Sequence, residues 1–516
     1  MKKGIILLVA IVLLSVCAVA LADETRTSGL FTYSIKGNGT VSIIDYDWSK
    51  STGDIYIPSM LDGYTVTTIG EEAFAYGKKV NKNDSLVVIP DSITIIGEKA
   101  FFNSPISTIN IPISVQSIGK AAFAYCDITQ FIVDPKQPYF ATVDGVLYDK
   151  KNKALMAHPQ GKTISSKIPE GILVINEYAF SGMSIGQGNS ASLCLTSILP
   201  STLTRIEPHA FENCTLYYAI NNAQSGITYY NSNANNLTLL PKSLTTIGEY
   251  AFAGSTFKCN SYSVPESIIM AENLEEIGDY AFSSCKFYDG FEYELVISKR
   301  NMTKIGKFAF ASSVMFSMGN ERMKIRINLP DEIDEIGENA FFETHPVCVK
   351  EGIEIKALGV AAFRNTIVYT EMKKERYHEG TPLSLRIPGA IAQIPSLAFA
   401  YKFDDDLNTV EKIDIQEGVT VIEGAAFAGR KSLQAVSLPQ TLTAIGDNAF
   451  SGCQRLLEVQ LSESIVKIGD NAFERQFITL IVKENSYAAL WASENGYNYR
   501  FDENQDDLDW LSSDIH

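Results

Sequence analysis

The feature that most constrains this chain is a six-residue block that recurs fourteen times. It reads IGDNAF at residues 445–450 and again, 23 residues later, at 468–473. Internal repetition with a period of roughly 20–50 residues is typical of stacked repeat architectures, in which no single unit buries its own core. The chain is therefore expected to be an array. Its copies end at Phe74, Phe101, Phe123, Phe180, Phe211, Phe252, Phe282, Phe310, Phe341, Phe363, Phe399, Phe427, Phe450 and Phe473.

The positions of the block differ in what they tolerate. Ala precedes Phe in every copy, and the leading Ile becomes Leu only at Leu358. A position that accepts only a methyl group beside one that accepts only a phenyl ring indicates a tightly packed interior. Because Pro occurs in the Gly position, we expect Gly there for a close turn rather than for positive φ. The four exceptions at that position are Asn176, Glu207, Pro395 and Glu423.

Acid or Pro usually follows the Gly position, and with Ala-Phe behind it this pattern predicts the first turn of a short helix. Upstream lies a second pattern, Leu433-x-x-Val436-x-Leu438, whose alternation predicts a half-buried strand. One unit is then strand, turn, short extended stretch and helical turn. Fourteen units stacked ~4.8 Å apart would form one parallel sheet roughly 65 Å long.

These two patterns together resemble the BspA-like bacterial leucine-rich repeats, over roughly residues 31–482. The resemblance implies an α/β-type repeat solenoid, a right-handed horseshoe with a long parallel sheet on its concave face and short helical turns. The expected organisation is a signal peptide (1–22), an N-terminal β cap (23–66), the solenoid (67–484) with a β-hairpin insertion (about 131–165), a capping helix (485–501) and an acidic tail (502–516).

The first residues predict export. Lys2 and Lys3 precede an apolar run over residues 5–14, and Ala20-Leu21-Ala22 supplies small residues at a cleavage site after Ala22. Cys17 offers a weaker lipoprotein alternative, because bulky Val16 occupies the place of a small residue. We expect a secreted or cell-surface protein without a later membrane span, and retention at the cell and free release both stay open.

The charge balance argues against nucleic-acid and anionic-membrane partners. The chain carries 43 basic and 60 acidic residues, a formal net charge of −17. Such a field repels phosphate backbones, so binding to them requires a local basic patch. Residues 373–378 form one short basic cluster, which we interpret as a solvated loop rather than a glycan-docking site.

Four of the eight cysteines fall in one position of the repeat. Cys126, Cys214, Cys285 and Cys453 each lie three residues after their Phe, where other copies carry Ser or Thr. That position predicts a small, weakly polar, buried side chain, and these units are not adjacent, so free thiols are expected. The positions of Cys194, Cys259 and Cys348 leave one pair among the three open.

No motif predicts a cofactor, a metal or catalysis. The five histidines are dispersed, and the acidic run at residues 404–406 is typical of a solvated loop rather than a Ca²⁺ site. Residues 182–186 match G-x-S-x-G around Ser184, yet an overlapping G-x-G-x-x-A pattern runs from Gly186 to Ala191. A Gly/Ser-rich connection explains both, so we expect no enzyme.

Contact surfaces are expected on outward strand positions and insertions. The strand pattern gives the outward positions Thr108, Asn110, Lys412, Asp414, Ala435, Ser437, Glu458 and Gln460. The insertion over residues 216–236 carries Tyr217, Tyr218, Tyr229 and Tyr230 among Asn, Ser and Gly, a composition typical of binding loops. A hairpin whose tyrosines cover its own base is the competing interpretation.

The resemblance implies a non-enzymatic interaction protein, an adhesin that engages host matrix proteins or bacterial surface proteins. The expected partner is an extracellular protein or glycan, and the expected state is a monomer. A structural component of the cell surface without a discrete ligand is the alternative.

Overall fold

The computed structural model describes residues 24–51, 53–77, 85–162, 164, 166–186, 194–218, 236–259, 267–289, 293–317, 325–344, 347–350, 352–371, 383–402 and 410–502. The chain divides into two compact units. The first is Met1–Lys151 with Ala157–Lys162, and the second is Asn152–Met156 with Thr163–His516. The predicted signal peptide, the basic cluster, the acidic run at 404–406 and most of the acidic tail lie outside the described residues.

The first unit combines an antiparallel start with two parallel ladders. Strands β1, β2 and β3 are antiparallel, whereas β3, β6, β8 and β10 are parallel, as are β4, β7, β9 and β11. β12 and β13 form an antiparallel hairpin. The strands are β1 (Thr25–Ser28), β2 (Phe31–Ile35), β3 (Thr40–Tyr46), β4 (Ile55–Tyr56), β5 (Met60–Leu61), β6 (Tyr64–Ile69), β7 (Leu86–Val88), β8 (Ile95–Ile96), β9 (Thr108–Ile111), β10 (Ser117–Ile118), β11 (Gln130–Val133), β12 (Phe140–Val143) and β13 (Val146–Asp149).

The second unit begins with strands that alternate among three parallel sheets. One contains β14, β15, β17, β20, β23, β26, β29 and β31; the second β16, β18, β21, β24 and β27; the third β19, β22, β25, β28, β30 and β32. These strands are β14 (Ala154–Ala157), β15 (Val174–Ile175), β16 (Ser184–Ile185), β17 (Arg205–Ile206), β18 (Thr215–Tyr218), β19 (Asn236–Thr238), β20 (Thr246–Ile247), β21 (Thr256–Cys259), β22 (Ser267–Ile269), β23 (Glu276–Ile277), β24 (Lys286–Asp289), β25 (Tyr293–Val296), β26 (Met302–Ile305), β27 (Val314–Ser317), β28 (Ile325–Asn328), β29 (Glu332–Ile336), β30 (Val347–Lys350), β31 (Glu354–Leu358) and β32 (Val368–Glu371).

The C-terminal part of this unit continues with three shorter parallel sheets. They contain β33, β35 and β37; β34, β36, β38 and β40; and β39, β41 and β42. The sequence predicts one continuous sheet, but the strands of each repeat belong to different sheets, so the array is divided among several sheets. These strands are β33 (Leu383–Ile387), β34 (Gln393–Ile394), β35 (Val410–Ile415), β36 (Val421–Ile422), β37 (Ala435–Ser437), β38 (Ala444–Ile445), β39 (Glu458–Gln460), β40 (Lys467–Ile468), β41 (Thr479–Val482) and β42 (Asn498–Phe501).

Helices are few in the described residues. They are α1 (Leu195–Ile198), α2 (Tyr487–Glu494) and a 3₁₀ turn at Trp48–Lys50. Ser486 Oγ caps α2 by accepting the Ala489 N–H at 3.2 Å. Trp491 on α2 is buried and its ring stacks on Tyr497 at 4.8 Å, so the helix is held by an aromatic contact.

The Ala-Phe blocks lie in stacked turns, and Phe450 and Phe473 of the last two copies form a parallel β-bridge, so the predicted helical turn is wrong. The residue before each Ala has positive φ, as at Asn448 (58°) and Asn471 (51°). A left-handed residue cannot continue a right-handed helix. The turns stack instead, with the Asn448 N–H donating to Asp470 O (2.9 Å) and the Phe450 N–H donating to Ala472 O (2.7 Å).

The Gly position supports this stacking by allowing close approach. Gly446 has no positive φ, and a Cβ built on it would lie 2.6 Å from Gly424 N of the preceding repeat. The same clash occurs at Gly278, where a Cβ would lie 2.6 Å from Glu249 N. The expectation that Gly serves a close turn rather than a left-handed conformation is therefore confirmed.

The fourteen Phe residues are all buried, with 0–6 % of their surface exposed. In the first unit, Tyr46, Phe74, Phe101 and Phe123 stack in order at centroid distances of 5.0, 4.9 and 5.8 Å. In the second unit, rings from Phe180 to Phe473 stack at 5.0–5.5 Å with interplanar angles of 1–13°. This interior column fixes which side chains are left to face outward.

Candidate interaction surface

In nine of the fourteen copies, the side chain three residues after the Phe donates to a buried Phe carbonyl of the preceding repeat. Cys214 Sγ donates to Phe180 O at 3.0 Å, Cys285 Sγ to Phe252 O at 3.0 Å, and Ser255 Oγ to Phe211 O at 2.6 Å. A buried carbonyl left unpaired costs about 1–3 kcal/mol, which explains why most copies carry a small Cys, Ser or Thr donor there. The small, weakly polar, buried position expected from the sequence is confirmed.

The described cysteines are buried and reduced. They are Cys126, Cys194, Cys214, Cys285, Cys348 and Cys453. Because every pair among the three cysteines left open would need Cys194 or Cys348, none of those pairs forms. Burial raises the pKa of Cys126, Cys214 and Cys453 to about 12 and raises the pKa of Cys285 further. These thiols are structural groups rather than nucleophiles.

Arg430 occupies the same position in its repeat, where most copies carry Cys, Ser or Thr. Its burial there was not predicted from the sequence. Its side chain is buried, Nε donates to Phe399 O at 2.7 Å, and Nη2 reaches back to Thr366 O at 3.0 Å. The guanidinium lies 5.3 Å from the Tyr401 ring centroid. Burial lowers the pKa of Arg430 to about 10. Arg430 thus ties its own repeat to the two before it.

In the first unit, the two residues that were predicted to face outward differ in the contacts that their side chains make. Thr108 and Asn110 lie on β9, and Thr108 is half-buried. The Asn110 amide is committed to one neighbour, because Oδ1 accepts the Ile89 N–H at 2.6 Å and Nδ2 donates to Ile89 O at 3.0 Å. Asn110 therefore holds the preceding turn, a role that its position in the strand pattern did not predict.

Lys412 and Asp414 lie on the outward side of β35, between β33 and β37. Lys412 is exposed, and Asp414 Oδ2 accepts the Arg386 Nε–H at 3.1 Å, with both side chains about two-fifths exposed (43 % and 41 %). An ion pair this exposed contributes about 0–1 kcal/mol, so it leaves both groups available to a partner.

Glu458 and Gln460 lie on the outward side of β39 and are exposed. Glu458 pairs with Arg500 at 3.6 Å, and the Gln460 amide donates to Asp502 Oδ2 at 2.7 Å. Next to them the structure forms a cavity of about 240 Å³ at the carboxyl ends of β37, β39 and β41. We name it the C-terminal cavity; its polar lining includes Ser437, Gln440, Gln460, Glu463, Lys483 and Asp502.

The tyrosine-rich insertion is not a hairpin where it is described. Tyr217 and Tyr218 lie on β18, which pairs in parallel with β16 and β21. Lys258 Nζ lies 5.5 Å from the Tyr217 ring centroid. Tyr229 and Tyr230 lie outside the described residues. The described partner strands of this tyrosine pair come from adjacent repeats, and the residues that would close a hairpin, 219–235, lie outside the described residues.

A second row of rings, which the sequence analysis missed, lies on the surface of the second unit. It contains Tyr178, His209, Tyr250, Tyr280 and Phe308, the left-handed residues of five consecutive repeats. Their centroids are 4.5, 5.0, 4.7 and 4.9 Å apart, with interplanar angles of 3–7°. We call this row the surface aromatic ladder, and all five side chains are half-buried.

Carboxylates border the surface aromatic ladder. His209 Nδ1 lies 2.9 Å from Glu212 Oε2. Partial burial, then Tyr280, Glu249 and other nearby acids, raise the pKa of Tyr250. The rings are stacked face to face and each is half-buried, so part of every ring is exposed. The ladder is an ordered aromatic strip with an acidic border, and aromatic side chains are enriched at protein interfaces.

The structure also places the serine of the G-x-S-x-G match and the candidate metal ligands. Ser184 of the G-x-S-x-G match lies on the two-residue strand β16, within the parallel ladder rather than on a strand-to-helix turn. Across the described ranges, no group of three or more His, Cys, Asp or Glu side chains is arranged to hold a metal ion. Neither described α-helix is long and apolar enough to cross a membrane.

The parallel strand ladders, stacked turns and interior ring column define a leucine-rich-repeat protein with few helices. The model of the BspA type leucine rich repeat region matches six overlapping stretches, residues 49–140, 158–258, 184–287, 227–370, 286–402 and 394–489. The chain belongs to this BspA-type family, as the resemblance in its sequence indicated. A comparison with curated proteins gives no match.

Three solved structures are similar over nearly their whole length. A leucine rich cell surface protein from Faecalibacterium prausnitzii is 18 % identical, with 88 % of this chain and 96 % of that chain covered (TM-score 0.34). A leucine-rich repeat protein from Bacteroides ovatus is 17 % identical, with 93 % and 100 % covered (TM-score 0.37). The pneumococcal vaccine antigen PcpA is 13 % identical, with 93 % and 99 % covered (TM-score 0.28).

Proposed function

We propose that this protein is a secreted or cell-surface interaction module that binds host matrix proteins or bacterial surface proteins without catalysis. The observation that carries the proposal is the division of each repeat into a constant interior and a variable exterior. Ala449 and Phe450 have counterparts in every copy and are fully buried, whereas Glu458, Gln460 and Lys412 on the strands are exposed. Selection for a packed core explains the constant, buried residues. Contact with a partner explains the variable, exposed residues.

Two surfaces of the second unit supply this contact. The outward face of β35, β37 and β39 presents polar and charged side chains, including Lys412, Ser437 and Glu458. The surface aromatic ladder presents rings that are already ordered by stacking, so binding there costs little further side-chain entropy. Its acidic border favours a partner with a basic contact region.

The test is binding of the purified chain, without residues 1–22, to panels of immobilised extracellular-matrix proteins and bacterial surface proteins. Two double variants remove the surfaces separately: Glu458→Ala with Gln460→Ala, and Tyr250→Ala with Tyr280→Ala. A third changes all four tyrosines of the insertion, Tyr217, Tyr218, Tyr229 and Tyr230, to Ala. Gln116→Ala in the first unit, at an exposed residue outside these surfaces, is the control.

Loss of binding in one double or quadruple variant, with an unchanged unfolding midpoint, supports the proposal and locates the contact. Binding that survives all three variants moves the contact away from these surfaces. A wild-type chain that binds no member of either panel contradicts the adhesin proposal and leaves the structural surface component as the better account.

A further inference from the structure

We propose that the C-terminal cavity is a binding site for a single neutral sugar ring, such as the terminal residue of a glycan on a partner. This inference rests on the proposed interaction function and gives one of its surfaces a ligand class. Three properties of the cavity support it: its size, the pairing of its charged groups, and its combination of polar and apolar lining residues.

The size of the cavity favours a small ligand group. Its volume is about 240 Å³, below the roughly 300–1,000 Å³ of sites for drug-sized molecules. A space of that size suits one six-membered ring with its hydroxyl groups or one amino-acid side chain.

The charged groups of the cavity are already paired with one another. Lys483 Nζ lies 2.9 Å from Glu463 Oε2, and Asp502 Oδ2 accepts the Gln460 amide at 2.7 Å. An ionic ligand would have to break one of these pairs to be neutralised. A neutral hydroxylated ligand instead adds hydrogen bonds to the remaining lone pairs and N–H groups without disturbing the pairs, so the lining favours it.

The walls match the two-sided character of a sugar ring. Hydroxyl and amide groups of Ser437, Gln440 and Gln460 lie on the exposed side and act as donors and acceptors. Leu461 and Ile481 contribute apolar surface to the same cavity. A pyranose has hydroxyl groups around its edge and C–H groups on its faces, so it satisfies both kinds of wall at once.

The rigid frame favours a preformed site. Gln460 and Ile481 are register partners on β39 and β41, and Leu461 N donates to Ile481 O at 2.9 Å just beyond them. Ser437 ends β37, and Asp502 directly follows β42. Because every lining residue lies on β37, β39 or β41 or within three residues of the end of β37, β39, β41 or β42, their relative positions do not depend on a long loop.

The experiment is saturation-transfer NMR on the purified chain with methyl glycosides of glucose, galactose, mannose and N-acetylglucosamine at millimolar concentration. Free lysine and free glutamate are the charged probes. Gln460→Ala and Asp502→Ala each remove one member of the hydrogen-bonded pair at the cavity. Gln434→Ala, an exposed glutamine outside the lining, is the matched control, and unfolding midpoints show that each variant is folded.

Binding of at least one glycoside, weakened about tenfold or more by each cavity variant and unaffected by the control, is the expected result. No binding by any of the four glycosides overturns the inference. A charged probe that binds the cavity while the glycosides do not also overturns it. Either of these negative results, obtained with panel binding intact, refutes the sugar site alone and leaves the proposed function standing.

Discussion

The interior Phe column leads to a quantitative prediction about stability. It is tested by comparing substitutions of two Phe residues in the same repeat. Phe310 is fully buried and stacks on Phe282 and Phe341 at 5.1 and 5.3 Å. Phe308, two residues earlier, belongs to the surface aromatic ladder, is half-buried and stacks on Tyr280 at 4.9 Å. Each is replaced by Ala. The two variants delete the same side-chain atoms, one from the interior Phe column and the other from the surface aromatic ladder.

Phe310→Ala removes a buried ring and leaves a cavity, which costs about 3–5 kcal/mol of unfolding free energy. Two stacked contacts of about 0.5–1.5 kcal/mol each place the value at the upper end of that range. Phe308→Ala loses one stacked contact and part of the buried area, about 1–2 kcal/mol. The interior variant is therefore expected to cost at least twice as much as the surface variant.

The assay is equilibrium unfolding in guanidinium chloride, followed by circular dichroism, with the slope of the transition compared among wild type and both variants. A change in slope would show that the repeats no longer unfold together, which nearest-neighbour coupling allows. If the two variants lie within 1 kcal/mol of each other, or if Phe308→Ala costs more, the distinction between interior column and surface ladder is wrong.

The stacked turns and the buried thiols give three further predictions. Gly446→Ala is expected to destabilise the chain by about 2 kcal/mol, because its Cβ would meet backbone at 2.6 Å; Gly424→Ala, with 3.4 Å of space, is the control in thermal melts. Asn448→Val is expected to cost more than about 1 kcal/mol at a left-handed position, whereas Asn448→Gly is tolerated, and equal melting points would refute the turn geometry. Burial raises the pKa of Cys453 from 9.0 to about 12. The folded state therefore favours the neutral thiol, and this contribution to the free energy of unfolding is full below pH 9 and is lost as the pH rises towards 12. A Cys453→Ser variant should lose less stability over that range, and native thiols that react with maleimide at pH 8 as fast as denatured ones would contradict the burial.

The sequence predicted the parts of the fold that depend on packing alone. A position that accepts only Ala beside one that accepts only Phe has few physical explanations, and the interior column is one of them. A small, weakly polar, buried side chain three residues after the Phe was predicted for the same reason. Its purpose, the pairing of a buried Phe carbonyl, was not predicted because that carbonyl belongs to the preceding repeat.

The left-handed turns were missed because local sequence and neighbouring repeats favour different structures. An acid followed by Ala and Phe resembles a helix start, whereas hydrogen bonds between adjacent turns select positive φ. A signal was present, since Asn occupies the position at Asn339, Asn448 and Asn471, and Asn tolerates that region better than most residues. Comparing the residues that precede Ala in the fourteen copies, rather than the constant Ala and Phe, would have indicated the left-handed turn.

The surface aromatic ladder was missed for a related reason. Tyr178, His209, Tyr250, Tyr280 and Phe308 occupy one position in consecutive repeats, but longer insertions separate them in the sequence. The block looked variable there, and only a structure with stacked turns shows that these side chains meet. Asn110 is the opposite case, because its strand position predicted an outward contact while its amide holds Ile89.

Binding of the wild-type chain and of the Glu458→Ala, Gln460→Ala double variant to the matrix-protein and bacterial-surface panels tests the central claim most directly. Both residues lie outside the packed interior, so the account predicts an unchanged unfolding midpoint together with reduced binding to the wild-type partner. Unchanged binding in this variant, in the surface aromatic ladder variant and in the tyrosine insertion variant would contradict the assignment of function to the variable exterior of the repeats.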